Sequence, residues 1–312
     1  MEQEFIQWLK QHVLESSCAQ NSLENVRIGI GDDGAVVSGS SSRQVLVTDA
    51  IVDGVHFRSS THKLEDVGRK ALTINLSDIA AMGAIAETAL ITVVLPLGMT
   101  IEEAKRLFTG IADTARQYQI AVVGGDTVRH DGALMINVAA TGRIEPIAKS
   151  PDGWLIDGAQ AGDVLVVTGP LGGSILGKHL SFEPRLELAA AIQSRVRVHA
   201  ATDISDSLSI DLGQMVRSSG VGAKLDLDSI PITSAATDRA TESGKTAVHH
   251  ALTDGEDFEL LLSMSPQACE SLKSDEGFKF ELFEIGLVTD SNIGQIVDFN
   301  TADPIEQIGY QH

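Results

Sequence analysis

A repeated pattern restricts this chain more than any other feature: a short apolar run that ends on an acid. Val45, Leu46 and Val47 run into Thr48 and Asp49, and Ile120 to Val123 run into Gly124, Gly125 and Asp126. Runs of this length, rich in β-branched residues, read as buried strands. Between them, Val67, Ala71, Ile74, Asp78 and Met82 recur at spacings of three and four, which predicts a helix over 64–83. Strands alternating with helices predict an α/β fold with carboxylates at its strand mouths. One such acid is no site: Asp49 alone reads equally well as the cap of a turn.

The chain has 312 residues, enough for two ordinary domains, and 43% hydrophobic with 21% charged residues describes a globular protein. Asp and Glu number 43 against 23 Lys and Arg, a net charge of −20. This excludes a general nucleic-acid or anionic-membrane binder, because phosphate surfaces call for basic residues. A polyphosphate can still be bound if divalent cations stand between the two. Cys18 and Cys269 form no metal-spaced pair, so free thiols and a reducing cytoplasm are expected. Glu2 and Glu4 replace the basic start of a secretory signal, and no apolar run reaches membrane-spanning length.

Phe5, Leu9 and Val13, with Ile6 and Trp8, predict an amphipathic helix over 2–15. Strands are predicted at 26–30, 89–95 and 134–141, with a helix at 101–118. The segment from Pro146 to Gly158 has two prolines, two glycines and little periodicity, and reads as a linker. It divides an N-terminal α/β domain, 1–145, from a C-terminal α/β domain, 159–312. The second domain is predicted to hold strands at 163–168, 221–227, 258–263, 285–288 and 294–297, and helices at 186–191 and 207–217.

Two motifs are decoys. Gly29 to Gly34 fits the dinucleotide fingerprint, but Asp32 and Asp33 would repel a pyrophosphate, and Ala35 to Ser42 opens no helix. Gly172 to Lys178 fits the start of a P-loop, but His179 stands where Ser or Thr must meet magnesium.

Acids recur in five separated segments: Asp32 and Asp33, Asp49, Asp78, Asp126, and Asp203 with Asp206. Each alone suits a cap or a solvated turn. Together they suit a polynuclear magnesium site, where hard oxygen ligands meet substrate phosphates. Asp78 is flanked by Ile79, Ala80, Ala81 and Met82, so it is expected buried beside a metal. No zinc spacing and no Ser/His/Asp elbow competes.

The strings GIGDDGAVV, VTDAIVDGVHF, KALTINLSDIAAMGA, VVGGDTVR, TGPLGGSILG, DISDSLSIDL and GEDFELL, in this order, resemble the thiamine-monophosphate kinases. These belong to the superfamily of aminoimidazole-ribonucleotide synthetase and selenophosphate synthetase. The resemblance runs from about residue 28 to the C-terminus. It implies phosphorylation of thiamine monophosphate to thiamine diphosphate, with ATP as co-substrate and Mg2+ as cofactor. It also implies a cytoplasmic homodimer joined through the N-terminal sheet, with ATP and metals in a cleft near that interface. Carried over by position, it makes Asp33, Thr48, Asp49, Asp78, Asp126, Asp203 and Asp206 the magnesium set. Gly125, Asp126 and Ser205 would touch the nucleotide, and His56, Glu256 and Tyr310 the thiamine phosphate. Asp49, Asp78 and Asp126 are expected to cluster.

Three departures stand out. Val47 replaces a frequent serine. Ile156 stands where an arginine usually steadies a nucleotide phosphate. The chain ends at His312, with no aromatic after the histidine. A sister enzyme acting on another small phosphate, or a silent cation-binding homologue, are the competing readings.

Overall fold

The computed structural model describes residues 26–28, 32, 34–38, 43–145 and 148–310. The helix expected at 2–15, Cys18 and Asp33 lie outside them. The N-terminal half holds strands β1 (Val26–Ile28), β2 (Ala35–Ser38) and β3 (Arg43–Val52), helix α1 (Leu64–Ala81), β4 (Ile85–Pro96), α2 (Ile101–Gln117), β5 (Ala121–His130) and β6 (Met135–Arg143). The sheet order is β1-β2-β3-β6-β4-β5, antiparallel except for the β4–β5 pair that α2 connects. β5 outruns its expected end by seven residues. It does so because β4 pairs with it from Thr88 to Pro96, which keeps Gly124, Gly125 and Asp126 in the ladder.

Helix α1 organises the molecule. Of its 18 residues 14 are buried, so it is enclosed on nearly every side rather than amphipathic. One side rests on β3, β6 and α2. Two glycines allow α2 so close: a Cβ on Gly68 would lie 2.1 Å from the Leu107 carbonyl oxygen, and one on Gly110 1.9 Å from that of Glu65. The other side of α1 meets the second half of the chain.

That half holds β7 (Val164–Val167), α3 (Lys178–Ser181), α4 (Leu186–Gln193), β8 (Ala200–Asp203), α5 (Leu208–Ser219), β9 (Gly222–Leu225), α6 (Ser234–Ser243), α7 (Ala247–Thr253), β10 (Leu260–Met264), α8 (Pro266–Ser274), β11 (Phe283–Thr289) and β12 (Ile296–Asp298). The sheet order is β12-β9-β11-β7-β10-β8, antiparallel but for β12–β9. The two-domain α/β expectation is met, with both sheets mainly antiparallel. Helix α6 has no sequence signal because only Ala236 of it is buried.

The halves are tightly joined. Trp154 is buried, donating its backbone N–H to Met82 O at 3.0 Å and its indole N–H to Gln193 Oε1 at 2.8 Å. Phe182 and Phe258 stack at 4.0 Å within the apolar cluster that surrounds α1. The segment read as a linker is thus pinned between two cores. Gly110→Ala should force α2 off α1 and cost about 1–3 kcal/mol, as overpacking does. Urea unfolding would measure it, and an unchanged midpoint would refute the close approach.

Candidate functional site

Carboxylates from both halves meet beside α1. Asp203 ends β8, is 2% exposed, and accepts a 2.5 Å hydrogen bond from Ser77 Oγ of α1. Burial pushes its carboxyl up to about 7, and the charges of Asp49 and Asp206 add to that. Asp49 belongs to β3 and Asp206 to the loop before α5, so a seam between the domains carries three carboxyl groups. Asp211 holds that loop. It accepts from the backbone N–H groups of Asp206 and Ser207 at 3.2 and 3.1 Å, and burial raises its carboxyl well above the ordinary range.

β3 does not end at Asp49 as expected but runs on to Val52 in the ladder with β6, where Asn137 braces it. The Asn137 amide donates to Thr48 Oγ1 at 3.2 Å and to the Asp49 carbonyl at 3.0 Å, while Thr48 Oγ1 donates to Val138 O. Asp32 reaches the second half: its Oδ2 accepts from the Ile156 N–H at 3.0 Å. Ile156 itself is buried in the second core, so that position offers the cleft no cation.

Two expectations are corrected. Asp78 is half-buried at the last turn of α1, with buried Ser77 and Ile79 beside it. Asp126 does not join Asp49. The rows run Asp49, Val138, Ile91, Gly125, and then Ala50, Asn137, Thr92, Asp126. Asp126 is therefore three strands from Asp49, about 14 Å, and on the other face of the sheet. Gly125 and Asp126 are exposed on the edge strand β5. Among the described residues no three His, Cys, Asp or Glu side chains converge closely enough to hold one metal ion. The donors are all oxygens, the choice of a hard cation, and Asn75 Oδ1 on α1 is buried without a partner.

A second cluster adjoins this seam. Lys70 of α1 is 1% exposed; its ammonium donates to Glu256 Oε1 at 2.5 Å and to His56 O at 3.0 Å. Burial holds it below its ordinary value against the pull of Glu256. His56 Nδ1 accepts from Val52 N–H at 3.1 Å. The Glu256 N–H donates to the Ser205 carbonyl at 2.7 Å. Tyr310 spans the seam, its N–H donating to Asp206 O and its hydroxyl to Val55 O at 2.8 Å. His56, Ser205, Glu256 and Tyr310 thus share one neighbourhood. Sequence reasoning passed over Lys70, Ser77, Asn137 and Asp211. Lys70 carried a signal: a cation inside the apolar stripe of Val67, Ala71 and Ile74.

Acids also shape the glycine loop after β7. Gly172 N–H donates to both Asp257 oxygens at 2.9 and 3.1 Å, and Gly173 N–H to Asp254. Glu259, 1% exposed, takes two hydrogen bonds from Arg185 and one each from Lys178 and Thr168. The loop is braced by carboxylates, which no P-loop would tolerate.

Known proteins show the same organisation. The AIR synthase related protein N-terminal domain matches residues 31–144, and the C-terminal domain of that family matches 173–298. A thiamine-monophosphate kinase of Rhodopirellula baltica is 45% identical over 88% of this chain and 86% of its own length. That of Bacillus subtilis is 29% identical over 92% and 94%. A solved structure of AaThiL complexed with AMPPCP and TMP superposes with a TM-score of 0.80 at 27% identity, covering 94% of each chain.

Asp206→Asn should relieve the repulsion at the seam, raising the melting temperature of cation-free protein while lessening any rise that magnesium brings. Differential scanning fluorimetry with and without magnesium checks this; a lower cation-free value would count against it. Burial, outweighing Lys178 and Gly172 N–H, pushes Asp257 up to about 7. The folded value exceeds the unfolded one, so the native state binds the extra proton. Stability from this group therefore falls as pH rises from about 4 to about 7, and the cost is complete above that. Asp257→Asn should flatten the pH dependence of the urea midpoint across that window; an equally steep profile would refute it.

Proposed function

This chain belongs to the AIR synthase related family and, within it, to the thiamine-monophosphate kinases, and from that premise we propose that it phosphorylates thiamine monophosphate to thiamine diphosphate with ATP. One observation of the structure carries the reading furthest: Asp49 of the first domain and Asp206 of the second both press on buried Asp203, beside the cluster of His56 and Glu256. A donor and an acceptor that are both polyanions need cations between them, and carboxylates from two sides supply the place. Magnesium there, held by Asp33, Thr48, Asp49, Asp78, Asp203 and Asp206, would neutralise the phosphates of both substrates.

The acceptor is already an anionic phosphate oxygen, so transfer is direct and in line and needs no general base. The chain contributes orientation. Ser205 meets the nucleotide phosphates; His56, Glu256 and Tyr310 hold the thiamine phosphate; Asp211 and Ser77 keep the carboxylates aimed. Gly125 and Asp126 remain on the edge strand. A homodimer through the open face of the first sheet, where Leu46, Leu90 and Val128 are exposed, would bring them to a nucleotide near the interface. The buried free thiol of Cys269 suits a reducing cytoplasm. Among the described residues no helix is long and apolar enough to cross a membrane.

A coupled assay for ADP release, with magnesium present and thiamine monophosphate as the variable, tests the reading. Saturable release dependent on both is expected, with free thiamine inert. Equal release with thiamine, or none with the monophosphate, would overturn it. His56→Ala and Glu256→Ala should each raise the KM for thiamine monophosphate about tenfold or more, the loss of a charge-assisted contact. The KM for ATP should stay nearly unchanged; equal losses for both substrates would refute the assignment.

A further inference from the structure

Lys70 is the one lysine in the buried interior of the described residues, and stability alone is a poor reason for it. A buried ion pair is commonly no more stabilising than an apolar pair of equal volume. Its partners are telling. The ammonium joins the Glu256 carboxylate, 186 residues away in sequence, to the carbonyl of His56 in the turn after β3. Glu256 sits in a strained stretch: Gly255, Glu256 and Phe258 have φ of 70°, 52° and 51°, the left-handed region that costs a non-glycine residue energy. That stretch is held from below by Ser205 O and Ile204 O, which accept from the N–H groups of Glu256 and Phe258. Ser174 Oγ adds a third tie, to Gly255 O at 2.5 Å. The backbone thus fixes where Glu256 starts, and Lys70 fixes where its carboxylate ends.

The same helix reaches the carboxylate seam through Ser77, seven residues on. That is about two turns, so the two side chains share a face about 10 Å apart along the axis. From this geometry we infer that Lys70 is a positioning residue for the acceptor subsite. It orients Glu256 and the His56 turn together, and α1 keeps them at a fixed distance from the carboxylates that serve the nucleotide. The inference rests on the proposed thiamine-monophosphate reaction and adds a residue to it. Lys70 forms no covalent bond; it acts through Glu256.

The test is Lys70→Met, with the KM for each substrate measured separately and thiamine-monophosphate binding measured by calorimetry. Loss of the charged partner should raise the KM and Kd for thiamine monophosphate about tenfold or more, with the KM for ATP changed less than about twofold. Parallel rises for both substrates, or an unchanged Kd for the monophosphate, would overturn the inference. Lys70→Met leaves Glu256 buried and unpaired, so Lys70→Met/Glu256→Gln keeps the question open to measurement if the single variant does not fold. This double variant should recover the melting temperature without the affinity for thiamine monophosphate; recovery of both would show a purely structural pair. Wild-type protein that converts no thiamine monophosphate would overturn the reaction itself. Active wild-type protein with an indifferent Lys70→Met would overturn only the role of Lys70.

Discussion

Everything at the seam depends on the burial of α1 between two domains. A helix enclosed on all sides is normally apolar all round, and this one is not. It carries Lys70, Asn75 and Ser77 inward, each fully buried. Such groups are tolerated only where partners meet them. Lys70 and Ser77 find theirs in the second half of the chain, at Glu256 and Asp203. The first domain thus presents two polar groups of α1 whose carboxylate partners the second domain supplies. Phe182 and Phe258 enter the first core alongside, so apolar burial drives the docking and the polar contacts set its register.

The arrangement is costly in electrostatic terms. Asp49 and Asp206 both press on buried Asp203, and Asp203 and Asp206 in turn press on buried Asp211. A protein selected for stability alone would not gather these groups. Cations and phosphates bound there, as proposed, would offset that cost, which is the usual relation between a strained site and its ligands. A large negative net charge fits the same logic, since a polyphosphate approaching such a surface is repelled unless cations stand between.

The strand-and-helix alternation, the two halves and the acid segments were legible because apolar periodicity and glycine–acid pairs are local signals. Asp203 and Glu256 came from such strings. Asp126 closes the same local pattern as Asp49 yet does not join it, because the strand order and the pleat that separate them are set by long-range pairing. The segment around Trp154 reads only as a linker because its partners, Met82 and Gln193, lie far away in sequence. Asn137 and Asp211 were invisible for a different reason: Asn137 acts across the ladder on Thr48 and Asp49 of β3, and Asp211 on backbone groups of a loop whose shape no sequence pattern shows. Ile156 was legible as a missing arginine, and the structure adds that its side chain belongs to the second core.

The central claim is that the seam brings two phosphates together and lets one attack the other directly. Incubating the protein with magnesium and γ-labelled ATP, with and without thiamine monophosphate, and then denaturing it measures this most directly. Direct transfer predicts protein free of label in both cases, with label in thiamine diphosphate only when the monophosphate is present. Label retained covalently on the denatured protein would contradict it.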